Sequence, residues 1–369
     1  MPSILTTKPE FPEILSVIKE YLEKQKAVGE PARIHFLDTN HYTSTSMKVI
    51  ADKSLHELVK QYGNPVYVLE SINGAEASKL VQDYISGDKK ALTPDSGVTD
   101  NKALKNASLI EIANYASQDQ KTRILFPDTR VDDLERILTN APKDQREAFE
   151  KFSQNFGTEV DRVFASRRGM DRNNPIHIEE AQIVALNIML RSFNEQERNS
   201  FLAVRGKIAQ ALKGDDLLDT SAIDEKISSR VLENIRDHDV QLTIYGAAHF
   251  DKKNDLNDRM PGLSIAIVDK DKTLAKVLMS DEFGRHVHNQ FPDYAYYADQ
   301  HKITKLDNDK AKAEYLGMDE KQFKAWELSI KVREEIINKL PSSPVETSPT
   351  APQPYQQPAP IKPGQLGLN

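Results

Sequence analysis

The sequence predicts an α/β fold: a mainly parallel central sheet flanked by helices, with an inserted helical cap and a disordered Pro-rich C-terminal tail. Three observations predict it. Short apolar runs alternate with amphipathic stretches in the order β-α-β-α-α-β, which implies parallel strands and right-handed crossovers. Helical periodicity then persists from about 131 to 239 with no convincing strand. From Pro341 onward eight of 29 residues are proline, too few of the rest being apolar to fold.

Each element follows from its residues. Ile14, Leu15, Val17, Ile18, Tyr21 and Leu22 recur at helical spacing in residues 11–26, with Glu and Lys between them, which marks an amphipathic lead-in helix. Residues 33–37 (RIHFL) read as a strand, and a helix over 47–61 follows. Gly63-Asn64 signals a turn or helix end before a second strand at 65–69 (PVYVL). A helix spans 73–86, a polar loop 87–105 and a further helix 106–118, before a strand at 123–126 (RILF). The helical stretch carries periodic segments at 131–138, 145–156, 179–192 and 195–212. A helix at 221–238, with Ser221 and Asp224 as candidate caps, leads into a strand at 241–245 (QLTIY). Runs 263–268 and 274–279 read as an antiparallel hairpin. Residues 280–300 read as irregular and aromatic, and 308–339 as helical. The expected organisation is a first core half at 1–130, the insertion at 131–220, a second core half with C-terminal helices at 221–340, and the tail at 341–369.

Composition narrows the function classes. Lys and Arg number 49 against 56 Asp and Glu, a net charge of −7, which does not favour nucleic acid as the main partner. Without cysteine the chain has no disulfide, thiolate ligand or cysteine nucleophile. No stretch approaches a transmembrane length, and the N-terminus lacks the apolar core of a secretory signal. The expected location is the cytoplasm, or outside the cell by a route without a cleavable signal. The phosphate-binding glycine motifs, H-E-x-x-H and G-x-S-x-G are absent.

The candidate site comes from the strand ends. In an open parallel sheet, ligands bind beyond the carboxyl ends of the strands. There the chain places Asp38 and His41, Glu70, Asp128 and Arg130, and His249. His41 reads as a metal ligand or general base, or else as a surface loop histidine. Glu70 leaves a buried strand, so it is solvated, paired or ligating. Gly246-Ala247-Ala248 makes a small-residue turn that lets His249 project into a crevice. Arg230, on the helix before the last of these strands, either points to the same edge or is an exposed helix arginine. Asp128 and Arg130 orient a histidine and bind an anionic group, or pair with each other.

Asp38-Thr39-Asn40-His41, the strand-end Glu70, the Arg230 helix and Gly246-Ala247-Ala248-His249 together resemble the TraB/ChaN/erythromycin-esterase-like superfamily. The match is carried by scattered short motifs over residues 33–270. Its usual first motif is G-T-x-H or G-E-x-H, so Asp38 departs from the pattern. The resemblance implies a site of two histidines and a glutamate at the sheet edge, but not one activity.

The expected function is a hydrolase of peptidase or esterase type acting on a small molecule or peptide. His41, Glu70 and His249 would hold a divalent metal (Mn, Co or Zn) or activate water directly. Arg230 would bind a substrate carboxylate or an oxyanion, and the helical insertion would cap the site. Asp38, Asp128 and Arg130 would contact substrate. Two other readings are a non-catalytic factor that binds a ligand or protein partner on the same scaffold, and haem binding.

Overall fold

The computed structural model describes residues 9–38, 44–71, 74–92, 107–128, 130–170, 175–212, 220–246, 249–250, 256–268 and 290–339. The elements in chain order are α1 (Pro12–Val28), β1 (Ala32–Asp38), α2 (Ser44–Ile50), α3 (Lys53–Lys60), β2 (Asn64–Leu69), α4 (Gly74–Ile85), α5 (Ala107–Gln118) and β3 (Arg123–Leu125). Four helices follow, α6 (Arg130–Thr139), α7 (Lys143–Ser166), α8 (Pro175–Ser192) and α9 (Glu195–Leu212). The chain then forms α10 (Thr220–Asn234), β4 (Asp239–Gly246), α11 (Leu256–Arg259), β5 (Leu263–Val268), β6 (Tyr294–Tyr297), β7 (Lys302–Lys305), α12 (Asp309–Leu316) and α13 (Glu320–Lys339).

The fold is mixed α/β around a seven-stranded sheet of order β3-β2-β4-β1-β5-β6-β7. Every pairing is parallel except β6 with β7. β4 is an interior strand, and all eight of its residues are buried. It enters between β1 and β2, which are consecutive in sequence but do not touch.

Strand side chains alternate between the two faces. Ile34, Phe36, Tyr67, Leu69, Leu242 and Ile244 share one cluster with residues of α1 to α5. Leu37, Val66, Val68, Tyr245 and Ala266 share another with Ile227 and Val231 of α10 and with α11 to α13. The sheet is thus covered on both faces, as a parallel sheet requires. The helices α6 to α9 pack on one another through smaller clusters of their own, such as Phe193 and Phe201 with Phe152.

Two expectations change. β5 pairs in parallel with β1 on one side and β6 on the other, so both its edges are taken and it is not half of an antiparallel hairpin. Residues 274–279 lie outside the described residues. The aromatic stretch read as irregular contains β6, in which Tyr294, Tyr296 and Tyr297 find a ready edge on β5. The polar loop beyond 92 and the tail from 340 also lie outside the described residues. Among the described residues no helix is long and apolar enough to cross a membrane.

Candidate functional site

Two of the expected residues meet because β2 and β4 are neighbours in the sheet. Glu70 immediately follows β2, whose Val66 and Val68 face the α10 layer. By alternation its side chain turns to that same layer. Its backbone N–H donates to Ile244 O at 3.3 Å, which continues the ladder one residue past the strand. One carboxylate oxygen, Oε2, accepts the Gly246 N–H at 2.9 Å. The other, Oε1, lies 3.7 Å from His249 Nε2. That separation is an ion pair rather than a hydrogen bond.

His249 follows β4 by three residues. Its Nδ1–H donates to Asp224 Oδ1 at 2.5 Å. The Tyr245 ring meets the imidazole edge-on, with centroids 5.3 Å apart. Glu70, His249 and Asp224 are 6%, 4% and 0% exposed, so all three are out of bulk water. Burial opposes a charge on His249, but the hydrogen-bonded Asp224 and the paired Glu70 overcome it and push the pKa up to about 10. At neutral pH this histidine is an imidazolium between two carboxylates.

Asp224 is the residue that sequence reasoning assigned differently. It was a candidate helix cap; α10 begins at Thr220, so Asp224 lies inside the helix. With Ile227, Ser228 and Val231 it forms the buried face of α10. A carboxylate at a core-facing position of a helix is the signal that could have found it, since such a charge needs a partner.

The other candidates are placed less centrally. Arg230, half-buried on α10, donates from a guanidinium N–H to Pro127 O at 2.9 Å and so ties α10 to the exit of β3. Asp128 is 2% exposed, and its backbone carbonyl accepts the Gly74 N–H at 3.0 Å. A Cβ on Gly74 would stand 2.3 Å from that carbonyl and 2.5 Å from Phe126 O, so only glycine allows the β3 exit to dock on the start of α4. Arg130 opens α6 and Asp38 closes β1, but their side chains lie outside the description. His41 lies outside the described residues altogether.

No protein-family model matches this chain, and no curated protein does. A solved structure, a mutant of the erythromycin esterase EreC in its open conformation, is similar over 71% of this chain and 74% of that chain, at 15% identity and a TM-score of 0.37. At that TM-score the likeness bears on neither the activity nor the site.

The donor set can be tested against a divalent metal. An imidazole whose Nδ1–H is held by a carboxylate is a common metal-ligand arrangement. Here, however, His249 Nε2 and Glu70 Oε1 are two donors, and a catalytic ion takes about three from the protein. Among the described residues no group of three or more His, Asp or Glu is placed to hold a metal. Among the described residues the site thus supplies two of those donors.

Proposed function

We propose that the chain is a hydrolase of the esterase or peptidase type, with Glu70 and His249 as its working groups. One observation carries this reading: a buried Glu70–His249 ion pair, 3.7 Å across, at the carboxyl ends of two adjacent parallel strands. That is where ligands enter an open parallel sheet. The motif resemblance to the TraB/ChaN/erythromycin-esterase-like superfamily points to the same two residues.

The charges suggest the roles. His249 keeps its Nε2 proton at neutral pH, which suits it to be the acid. The Glu70 carboxylate is the base. Water attacks the substrate carbonyl as Glu70 takes one of its protons. His249 gives its Nε2 proton to the leaving oxygen or nitrogen as that bond breaks. The proton on Glu70 then passes to His249, and both groups return to their starting charge. Glu70 and His249 face each other, so this reset needs no third residue.

In this reading Arg230 holds the β3 exit through Pro127 O and keeps the substrate side of the site in place. Asp38, Asp128 and Arg130, at the β1 and β3 exits, are the candidate substrate contacts. His41, just beyond β1, is the candidate for a further base or ligand. The helices α6 to α9 form the proposed cap.

The experiment is turnover of p-nitrophenyl esters and peptide p-nitroanilides by the wild type, Glu70→Gln and His249→Gln. These replacements keep the size of the buried groups while removing the base or the acid. Turnover by the wild type and its loss in both folded variants is the expected result; retention in both would refute the reading. A second reading, ligand binding without chemistry, is favoured by one feature: a pKa near 10 is above the range in which an acid turns over fastest at neutral pH. It would leave the wild type inert toward both substrate sets.

A further inference from the structure

We propose that Asp224 is a positioning residue for this site, acting on substrate only through His249. The proposal rests on the hydrolase reading for its consequence in turnover, and on geometry for everything else.

Asp224 is fully buried on the face of α10 that otherwise presents Ile227 and Val231 to the sheet. An apolar side chain would serve packing better there, because a carboxylate must be stripped of water. One compensation is the 2.5 Å hydrogen bond from His249 Nδ1–H. That bond uses the ring nitrogen remote from Glu70. It therefore settles which nitrogen faces Glu70, as the carboxylate partner of a catalytic histidine does. The Tyr245 ring edge packs against the imidazole as well. Among the described residues, Asp224, Glu70 and Tyr245 are the ionisable groups that meet His249, from α10, the end of β2 and β4.

The element that carries Asp224 is itself held. Lys226 pairs with Asp133 of α6 at 3.6 Å, and Arg230 donates to Pro127 O at 2.9 Å. Within two turns, α10 therefore touches the helical region, the imidazole and the β3 exit. Both contacts lie within two turns after Asp224 and hold the helix that carries it, as orienting a ring requires.

The test uses the full chain labelled with ¹³C-histidine, with His249→Gln assigning the His249 resonance. In the wild type the Asp224 and Glu70 carboxylates hold the His249 titration above that of a free imidazole. In Asp224→Asn the amide oxygen still accepts from Nδ1–H but the charge is gone, so His249 titrates at distinctly lower pH. In Asp224→Glu the charge returns and the titration moves back toward the wild type. Identical titrations in wild type and Asp224→Asn overturn the proposal, as does a Glu variant that behaves like the Asn variant. Turnover is the second readout: kcat falls by about 10²-fold or more in Asp224→Asn with KM unchanged. A residue that only supports the fold would lower the melting temperature and leave kcat of the folded variant unchanged. If the wild type hydrolyses nothing, the hydrolase reading fails while the titration still decides the role of Asp224.

Discussion

Gly246 N–H donates to Glu70 Oε2 at 2.9 Å, so the ends of β4 and β2 are joined by the carboxylate of the site itself. The bond leaves Oε1 facing His249. Glu70 is consequently both a ladder partner for the backbone and one half of the buried ion pair.

That double role predicts different outcomes for two substitutions. Glu70→Gln keeps an acceptor for Gly246 N–H but removes the proposed base and its charge beside the imidazolium, so turnover drops by about 10²-fold or more, and stability falls by less than in Glu70→Ala. Glu70→Ala strands the Gly246 N–H and one side of the imidazolium. It costs about 3–5 kcal/mol, the usual cost of breaking a buried ion pair. Denaturant unfolding of the two variants separates these effects. His249→Ala belongs with the second kind: it leaves two buried carboxylates facing an empty space, so it is a stability variant as well as an activity variant.

The two buried histidines predict opposite pH dependences. His249 is raised from 6.5 to about 10 in the fold. Its stabilising contribution is fully present below pH 6.5 and is lost as pH rises through about 10. Unfolding curves for wild type and His249→Gln should therefore converge on the alkaline side.

His35 behaves in the reverse sense. It is fully buried on β1, and its Nε2–H donates to Met260 O at 2.7 Å. Burial pushes its pKa down to about 4, against the pull of that carbonyl. The unfolded chain gains a proton near 6.5 that the folded chain refuses until about 4. Stability is then lost as pH falls through that window, by ~3 kcal/mol in all. In His35→Gln the acid limb of the stability curve should be flatter between those two values.

Gly74→Ala tests the docking of the β3 exit. The added Cβ meets two backbone carbonyls, of Asp128 and Phe126, which cannot step aside as a flexible side chain would. A cost of about 1–3 kcal/mol is expected. A melting temperature equal to that of the wild type would mean that the Asp128 loop does not seat as described.

Metal dependence has its own outcome. If Glu70 and His249 act without a metal, as in the proposed mechanism, chelator leaves both turnover and melting temperature unchanged. A native-state metal at 100 times its Kd would add about 2.7 kcal/mol. A selective shift with Mn²⁺, Co²⁺ or Zn²⁺ that disappears in His249→Gln would bring His41 into the ligand set and displace the metal-free mechanism.

The positions of Glu70 and His249 were legible in the chain because strand ends are local signals. Glu70 ends an apolar run and His249 follows a small-residue turn, so both stood out without coordinates. Asp224 did not, because a lone acid near a helix start looks like a cap. Only its spacing to Ile227 and Val231 marks it as core-facing, and that spacing means little until α10 has a sheet to face. The hairpin expected at 263–268 failed for a related reason: alternation describes a strand but not which neighbours its two edges will find.

By itself, the sequence determined the class of fold and its elements, since periodicity and turn residues act over a few positions. It also determined that Glu70 and His249 stand at strand ends. Only the tertiary structure decided that β4 lies between β1 and β2, because strand order depends on packing between segments far apart in the chain. That insertion brings Glu70 to His249, and the crossing of α10 over the same face adds Asp224. A buried charge takes its meaning from its partner, and here both partners arrive from distant parts of the chain.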